Sequence, residues 1–483
     1  MSLNGLEPSN VFHFFEEISN IPRGSGNEKE ISDYIVNFAK DRELKYIQDE
    51  AHNVLIEKEA TVGYENSDGV ILQGHIDMVC EKNAGTEHDF IKDPLKLKAE
   101  GDFIFAEGTT LGADDGIAVA YMLAILDSDN ISHPHIECVF TTDEERGMTG
   151  ATYFNASGLK GKYMINFDTE GEGHLLVGGC GGLKATISLP VQRTDAKPGL
   201  KPYELLIKGL KGGHSGADII FQRANSNKLM GRVLKSICGK FYIELAHISG
   251  GMVDNAIPRE AKAIVFAEGD KIREINSCIE EMKKIIDKEY KYCEEGINVS
   301  LLPSEEKSLK VFDGETLKKI IALLILIPSG IIRMDFNVEE LVETSTNLGV
   351  VETKEESVDF ISALRSSLES KKYETLDILS EASKLVDAKL IVKGEYPGWE
   401  YNPDSKLVNL FSDVYLDMYG KRPEIKAVHA GVECGIFAGK KRDLDIVAIG
   451  PDILDIHSPK ERMSISSAGR VYAYTLKILS LLK

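Results

Sequence analysis

Short apolar runs that end near a histidine or an acidic residue recur along this chain, and they constrain its fold more than any other feature. Residues 136–140 form one such run, and the carboxylates of Asp143, Glu144 and Glu145 follow it directly. Comparable runs over 70–73, 162–167 and 445–449 precede His75, Asp168 and His457. Such runs predict buried strands, and helices are predicted between them over 9–19, 27–44, 117–126, 405–418 and from 464 onward. This alternation predicts an open α/β sheet whose site lies beyond the carboxyl ends of the strands.

A second region interrupts that pattern. After the glycine-rich bend at 178–182, strand-like runs surround helices in two stretches of similar build, without a residue-level repeat. The first pattern resumes near residue 397, and 483 residues exceed what one hydrophobic core usually serves. The sequence therefore predicts a discontinuous domain over 1–183 and 396–483. An α+β domain over 184–395 is predicted to be inserted into it.

Charge and composition exclude several classes of protein. A formal net charge of −21 without a basic tract argues against a nucleic-acid partner. No long uncharged apolar run predicts a membrane span, and the N-terminus lacks the pattern of a signal peptide, so we expect a cytoplasmic protein. The seven cysteines are scattered and never form a CxxC pair, which predicts neither a disulfide framework nor a thiolate zinc site.

Each polar residue at a strand end has an ordinary explanation when it is taken alone. His75 and Asp77 form an HxD pair that a core histidine beside a turn would also give. Asp114 precedes a helix, where an aspartate often serves as the N-cap. Asp168 could be a turn residue, His457 a surface histidine, and the acidic run at 143–145 a solvated turn.

Taken together, these residues predict a metal centre. Five metal-capable side chains fall on the same predicted edge of one sheet: His75, Asp114, Glu145, Asp168 and His457. Each of two zinc ions would take one imidazole and one terminal carboxylate, with Asp114 bridging them at an ion separation of about 3.5–4 Å. Asp77 could orient His75, and Glu144 would be an unligated general base beside the ions.

Longer motifs carry a resemblance to a known family. They are GHIDMVCEKN, HDFIKDPLKL, TTLGADDGI, TTDEERGMTGA, NFDTEGEG, LKGGHSGADI, DNAIPREA, HAGVECGIF and HSPKERMSI. These strings resemble those of the bacterial aminoacyl-histidine dipeptidases, also called Xaa-His or cytosolic non-specific dipeptidases. That family belongs to the carnosinase and aminoacylase-type dizinc metallopeptidases. The resemblance covers nearly the whole chain and is thinnest between residues 303 and 360.

The resemblance implies a role for each matching residue. His75, Asp114, Glu145, Asp168 and His457 match the zinc ligands, with Asp114 as the bridge. Glu144 matches the general base and Asp77 the catalytic aspartate. A cis peptide bond is implied between Asp114 and Asp115.

In the inserted domain, the resemblance implies that His214 approaches the scissile carbonyl, where an imidazole donor would stabilise an oxyanion. Asn255 and Arg365 match positions that grip the substrate, and an arginine fork suits a free carboxylate. Gly431 matches a glycine whose backbone faces the substrate. A flexible turn at His214, a surface salt bridge at Arg365 and a tight turn at Gly431 are the ordinary alternatives.

We therefore expect a metallo-dipeptidase that hydrolyses dipeptides such as Xaa-His through a dizinc-bound water, with Glu144 as the base. The α/β domain should be a zinc-peptidase-like mixed sheet flanked by helices. The inserted domain is expected to act as a lid and to allow a homodimer. An N-acyl-amino-acid deacylase or desuccinylase with the same centre is the alternative, and a non-catalytic binding protein is more distant. Manganese or cobalt could replace zinc.

Overall fold

A computed structural model of the chain describes residues 3–305 and 310–483. Its helices are α1 (Ser9–Ser19), α2 (Lys29–Asp41), α3 (Ala113–Asp127), α4 (Thr149–Tyr153), α5 (Ser226–Cys238), α6 (Ile272–Tyr290), α7 (Gly314–Leu326), α8 (Glu369–Leu385), α9 (Lys406–Tyr419), α10 (Glu433–Lys440) and α11 (Ile465–Leu479). Within the described ranges, no helix combines the length and apolar character that a membrane crossing requires.

The strands alternate with these helices in the outer parts of the chain and crowd together in its middle. They are β1 (Lys45–Gln48), β2 (Val54–Lys58), β3 (Val70–His75), β4 (Leu97–Glu100), β5 (Phe103–Ala106), β6 (Ile136–Thr141), β7 (Tyr163–Asn166), β8 (His174–Gly179), β9 (Gly181–Pro190), β10 (Arg193–Asp195), β11 (Leu200–Lys208), β12 (Gly213–His214), β13 (Ile243–Gly250), β14 (Ala256–Ile257), β15 (Ala261–Glu268), β16 (Asn298–Pro303), β17 (Lys310–Phe312), β18 (Gly330–Met334), β19 (Val342–Thr353), β20 (Ser357–Ser366), β21 (Lys389–Tyr396), β22 (Glu424–Val428), β23 (Asp445–Ala448), β24 (Ile453–Leu454) and β25 (Arg462–Ser464).

The chain forms two compact units. Unit 1 comprises Met1–Gly178, Trp399–Ala427 and Val432–Lys483, and unit 2 comprises Gly179–Gly398 and Val428–Gly431. Each unit has a hydrophobic core of its own. The short piece at 428–431, which includes Gly431, belongs to unit 2 although its neighbours in the chain belong to unit 1.

Unit 1 is built on an eight-stranded mixed sheet in the order β1-β2-β6-β3-β7-β23-β8-β22. The four central strands β6, β3, β7 and β23 run parallel to one another, and β2 and β8 pair with them antiparallel on either side. Every residue of β3 and of β6 is buried, because helices and loops cover both faces. A smaller four-stranded sheet in the order β24-β25-β5-β4 stands beside it.

Helix α3 packs closely on this sheet. Its apolar residues are buried on every side of the helix, which explains why they show no amphipathic stripe. A Cβ atom at Gly74 of β3 would lie 2.4 Å from the Cβ of Ala118, so only glycine permits this approach. The predicted α/β class, with a mixed sheet flanked by helices, is confirmed.

Unit 2 is an antiparallel α+β unit. Its nine-stranded sheet runs β16-β11-β15-β13-β19-β20-β9-β21, and β18 adds to β19. Helices α5 to α8 contribute apolar residues to the core beside this sheet. The two stretches of similar build meet at two places in this sheet: β20 pairs with β9 from Ser357↔Pro190 to Ser366↔Gly181, and β13 pairs with β19 through Ser249↔Glu352 and Gly250↔Val351.

Candidate metal centre

The parallel strands of unit 1 deliver polar side chains to one edge of the sheet. His75 is the last residue of β3, Asp168 follows the end of β7, and Glu144 and Glu145 lie in the turn after β6. His457 follows β23 and a short connection through β24. Because β3, β6, β7 and β23 are parallel, their carboxyl ends meet at the same edge.

Asp114 lies between the two histidines. Its Oδ1 is 3.1 Å from Nε2 of His75, and its Oδ2 is 3.1 Å from Nε2 of His457. Nε2 of His75 is also 3.9 Å from Oδ1 of Asp168, and Nε2 of His457 is 3.0 Å from Oε1 of Glu145. The structure thus brings together all five residues predicted as ligands. Each imidazole faces one terminal carboxylate and one oxygen of the shared carboxylate.

The start of α3 gives Asp114 its position. The peptide bond between Asp114 and Asp115 is cis, as the resemblance implies. Both residues depart from helical φ and ψ values, so the regular helix begins after them. The Asp115 side chain points back to the sheet, where its Oδ2 accepts the backbone N–H of His75 at 3.3 Å.

Asp77 ties the first histidine to the acidic turn. It is fully buried, and its Oδ1 is 3.4 Å from Nδ1 of His75. The same carboxylate accepts the backbone N–H groups of Glu144 and Glu145, at 3.1 and 3.4 Å, and the hydroxyl of Ser25 at 2.8 Å. Burial opposes ionisation, yet the contacts with His75 and the other donors lower the pKa of Asp77 to about 2. Asp77 is therefore an ionised anchor for both sides of the centre.

Glu144 lies beside these groups in the acidic turn, and its carboxyl group has a raised pKa. Burial, together with the carboxylates of Glu433, Glu145 and Asp114, raises the pKa of Glu144 to about 8 in the metal-free centre. A divalent cation beside it would favour the ionised form. The group is thus suited to take up a proton and release it again near neutral pH.

The donor set fits divalent cations. Three sets of side chains place one ligand atom each within 4.8 Å of one another: His75, Asp114 and Asp168; His75, Glu144 and Glu145; Asp114, Glu145 and His457. Among the described residues, Oε1 of Glu145 is buried without a hydrogen-bond partner, although it lies 3.0 Å from Nε2 of His457. Burial and the neighbouring carboxylates raise the pKa of Asp168 well above its usual value. Imidazole nitrogens and carboxylate oxygens are zinc ligands, and cations would offset this crowding of negative charge.

Unit 2 gathers the other candidate residues. His214 lies on β12, which pairs with β14 at Ala256, and the adjacent Ser215 N–H donates to the Asn255 carbonyl at 2.8 Å. A Cβ at Gly216 would lie 2.6 Å from the carbonyl oxygen of His429, so this turn packs against segment 428–431. His214, Asn255 and Gly431 therefore lie on three neighbouring segments of one unit.

His214 is held in one tautomer. Its Nδ1 accepts the backbone N–H groups of Gly216 and Ala217, both at 3.2 Å, which leaves the proton of a neutral ring on Nε2. Partial burial of the ring and the charge of Arg365 lower the pKa of His214 below its ordinary value. The side chain is consequently a neutral hydrogen-bond donor near pH 7.

Arg365 lies on β20 within the same region of unit 2. One Nη1–H donates to the Tyr396 hydroxyl at 3.3 Å, whereas its buried Nε has no hydrogen-bond partner within the described part of the chain. A guanidinium with donors to spare suits a carboxylate ligand. Its charge, like burial, also depresses the pKa of nearby His429, to about 3.

Several buried residues around the metal centre have no place in the sequence-based prediction. Glu433 of α10 accepts hydrogen bonds from Nε2 of Gln73 at 2.5 Å and from the Thr141 hydroxyl at 2.7 Å, below the ends of β3 and β6. Burial raises the pKa of Glu433 to about 7. Arg23 and Glu461 are likewise almost fully buried. A charged residue inside a strongly patterned motif, such as Glu433 in HAGVECGIF and Glu461 in HSPKERMSI, is the signal that could have indicated those two residues, whereas Arg23 lies in none of the motifs.

Comparisons with known proteins agree over nearly the whole chain. The model for Peptidase family M20/M25/M40 matches residues 71–480. The Escherichia coli (strain K12) protein named cytosol non-specific dipeptidase is 36% identical over 477 residues, which are 99% of this chain and 98% of that protein. The crystal structure of aminoacylhistidine dipeptidase from Vibrio alginolyticus superposes with a TM-score of 0.95 at 36% identity, covering 100% of this chain and 98% of that one. An aminopeptidase structure from Bacillus cereus ATCC 10987, at 14% identity, 99% coverage of both chains and a TM-score of 0.57, shares the fold.

Proposed function

The chain belongs to peptidase family M20/M25/M40, and on that premise we propose that it is a dizinc dipeptidase that hydrolyses dipeptides, Xaa-His dipeptides among them. The proposal depends above all on Asp114, whose two oxygens each lie 3.1 Å from a different imidazole. An arrangement of this kind suits a carboxylate shared by two ions. Similarity over full length to proteins named for dipeptide hydrolysis supports the substrate class.

Two zinc ions would be held by the five residues predicted from the sequence. His75 and Asp168 would hold one ion, Glu145 and His457 the other, and Asp114 both. Manganese or cobalt would suit the same nitrogen and oxygen donors. When bound, the ions polarise the scissile carbonyl and lower the pKa of water.

Glu144 performs the proton transfers in this proposal. The carboxylate takes a proton from the attacking water and returns it to the nitrogen of the leaving amine, so the net reaction consumes one water and no other reagent. Asp77 keeps Glu144 in place through the backbone N–H that it accepts at 3.1 Å. It also orients His75, whose Nδ1 lies 3.4 Å away.

Unit 2 is proposed to bind the substrate. His214 donates its Nε2–H to the developing oxyanion, and its fixed tautomer supports that role. Arg365 binds the free carboxylate, while Asn255 and the backbone at Gly431 complete the grip, as the resemblance implies. Residues 184–395 would close over a short substrate and form the interface of a homodimer. The enzyme is proposed to act in the cytoplasm, as the name of the Escherichia coli relative indicates for that protein.

A substrate panel tests the proposed function. Metal-loaded protein is incubated with a series of dipeptides that includes Xaa-His, with matching tripeptides, and with N-acetyl and N-succinyl amino acids. We expect turnover of the dipeptides and little of the others, with Glu144→Gln as the inactive control. Faster hydrolysis of the N-acyl compounds would instead identify a deacylase or desuccinylase.

A further inference from the structure

A buried carboxylate holds the loop that carries Asp114. Glu461 is only 3% exposed, and each of its oxygens accepts two successive backbone N–H groups of the loop. Oε2 is 2.8 and 3.0 Å from the nitrogens of Leu111 and Gly112, and Oε1 is 2.8 and 3.5 Å from those of Ala113 and Asp114. These N–H groups stand at the start of α3 and lack acceptors within the helix, so the carboxyl group of one side chain satisfies all four of them.

A buried guanidinium binds the carbonyl side of the same loop. Arg23 is 1% exposed, and its Nη2 donates to the carbonyl of Gly112. Its Nη1 donates to the carbonyls of Ile76 and Asp77, both at 3.1 Å. A Cβ atom at Gly112, where φ is +65°, would lie 2.7 Å from this Nη2. Glycine therefore lets the arginine reach the loop.

These two side chains connect three segments that supply different parts of the centre. Arg23 joins the segment after His75 to the loop of Asp114, and Glu461 joins that loop to the segment that begins at His457. Within the described chain, the hydrogen bonds of both charged groups go to backbone atoms and not to the side chain of a proposed ligand. Both act on the backbone that carries the ligands.

We propose that Arg23 and Glu461 are positioning residues that clamp the Asp114 loop, so that one carboxylate faces both His75 and His457. This inference rests on the proposed metal centre. A purely structural pair would stabilise the fold and leave the affinity for divalent ions unchanged. A positioning pair must instead alter metal affinity, because supporting groups set the orientation of the ligands.

Glu461→Gln is the first test. The amide keeps the size of the side chain but presents an NH₂ group to two backbone N–H donors, so half of the clamp is lost. Zn²⁺ and Mn²⁺ are titrated into metal-free protein by calorimetry, and bound metal is counted. We expect affinity to fall about 10–100-fold for at least one ion. We also expect an altered visible absorption spectrum with Co²⁺, which reports ligand geometry.

Glu137→Gln is the matched control. Glu137 is a fully buried carboxylate in unit 1, near the amino end of β6, and it also accepts backbone N–H groups, those of Lys160 and Gly161, at 2.8–3.0 Å. We expect this variant to lose thermal stability while binding metal like the wild type. Equal losses of metal affinity in Glu137→Gln and Glu461→Gln would overturn the clamp.

Arg23→Lys decides the question if Glu461→Gln does not fold. Lysine keeps the charge but cannot span the carbonyls on two segments as a guanidinium fork does. The clamp predicts a similar loss of metal affinity, and wild-type affinity with an unchanged Co²⁺ spectrum would overturn it. Failure of the wild-type chain to bind any divalent ion would refute the proposed function itself. Normal binding by the wild type and by Arg23→Lys would refute the clamp alone.

Discussion

The two units place their polar side chains by different means. In unit 1, four parallel strands end at one edge, where the side chains that follow them meet Asp114 at the start of α3. In unit 2 the sheet is antiparallel, so successive strands end at opposite edges. Its candidate residues come from a two-stranded ribbon, from the side of β20 and from segment 428–431.

This difference separates two kinds of role. In unit 1, buried carboxylates and a buried arginine fix the positions of the candidate ligands. A site that binds ions in a defined geometry requires such support. In unit 2, His214 lies on an exposed turn, and Arg365 has an N–H donor without a partner in the described structure. Such side chains suit a substrate that binds and dissociates in each catalytic cycle. Variants in unit 1 should thus affect the chemical step, and those in unit 2 should affect substrate and transition-state binding.

The largest effect is expected from Glu144→Gln. The amide cannot take up the proton of the attacking water, so kcat should fall by about 10²–10⁴-fold, the usual contribution of a general base. Metal content and KM should change little, because Glu144 is not a proposed ligand. Steady-state kinetics on a dipeptide, with metal analysis of the same sample, measures both quantities.

Asp143→Asn is the matched control for that variant. Asp143 is the adjacent acidic residue, but its carboxylate binds Arg146 and Thr149 instead of the centre. Its removal should leave kcat near the wild-type value. A comparable loss in both variants would show that the charge of the turn, and not the base, is what matters.

His214→Ala should have the next largest effect. Loss of one preorganised donor to an oxyanion lowers kcat by about 10²–10³-fold. His214→Gln keeps an N–H donor and should recover part of the rate, while metal binding stays normal in both variants. Unchanged kcat in His214→Ala would remove unit 2 from the chemical step and leave it only a binding role.

The same difference between the two units explains which parts of the fold and of the site could be predicted from the sequence. Strand β6 is buried along its whole length and is therefore apolar enough to be predicted from the sequence. It was predicted over 136–140 and extends over Ile136–Thr141. Polar residues after parallel strands converge by topology, so the strand ends already indicate that His75, Glu145 and Asp168 meet, whereas Asp114 joins them from the start of α3. The family and the fold class were predictable for this reason and from the long motifs.

Contacts to the backbone were not predictable. Glu461 binds N–H groups about 350 positions away, and Arg23 binds carbonyls 53 to 89 positions away. Every residue carries the same kind of backbone group, so the sequence does not show which backbone groups a distant side chain binds. The two stretches of unit 2 are joined where β20 pairs with β9 and where β13 pairs with β19. These strands lie far apart in the chain, and hydrophobic periodicity does not indicate which strands pair.

The smallest predicted effect concerns His429 of unit 2. Part of the residue is exposed, but its Nδ1 is buried without a hydrogen-bond partner in the described structure, and its Nε2 lies 2.7 Å from the Ser345 hydroxyl. Burial and the charge of Arg365 lower the pKa of His429 from 6.5 to about 3. Below pH 6.5, His429 is therefore protonated in the unfolded chain but stays neutral in the folded chain until the pH approaches about 3.

The stabilisation from neutral His429 is consequently complete above pH 6.5 and is lost as the pH falls from 6.5 toward about 3. Between pH 7.5 and pH 5 the free energy of unfolding of the wild type should drop by about 2 kcal/mol more than that of His429→Gln, which cannot titrate. Denaturant unfolding of both proteins at the two pH values measures the difference. Ser345→Ala removes the hydrogen-bond partner but keeps the titrating ring, so it should retain most of the wild-type pH dependence. If His429→Gln showed the same pH dependence as the wild type, His429 would be accessible to protons in the folded state, and unit 2 would be more open around Arg365 than its buried Nε indicates.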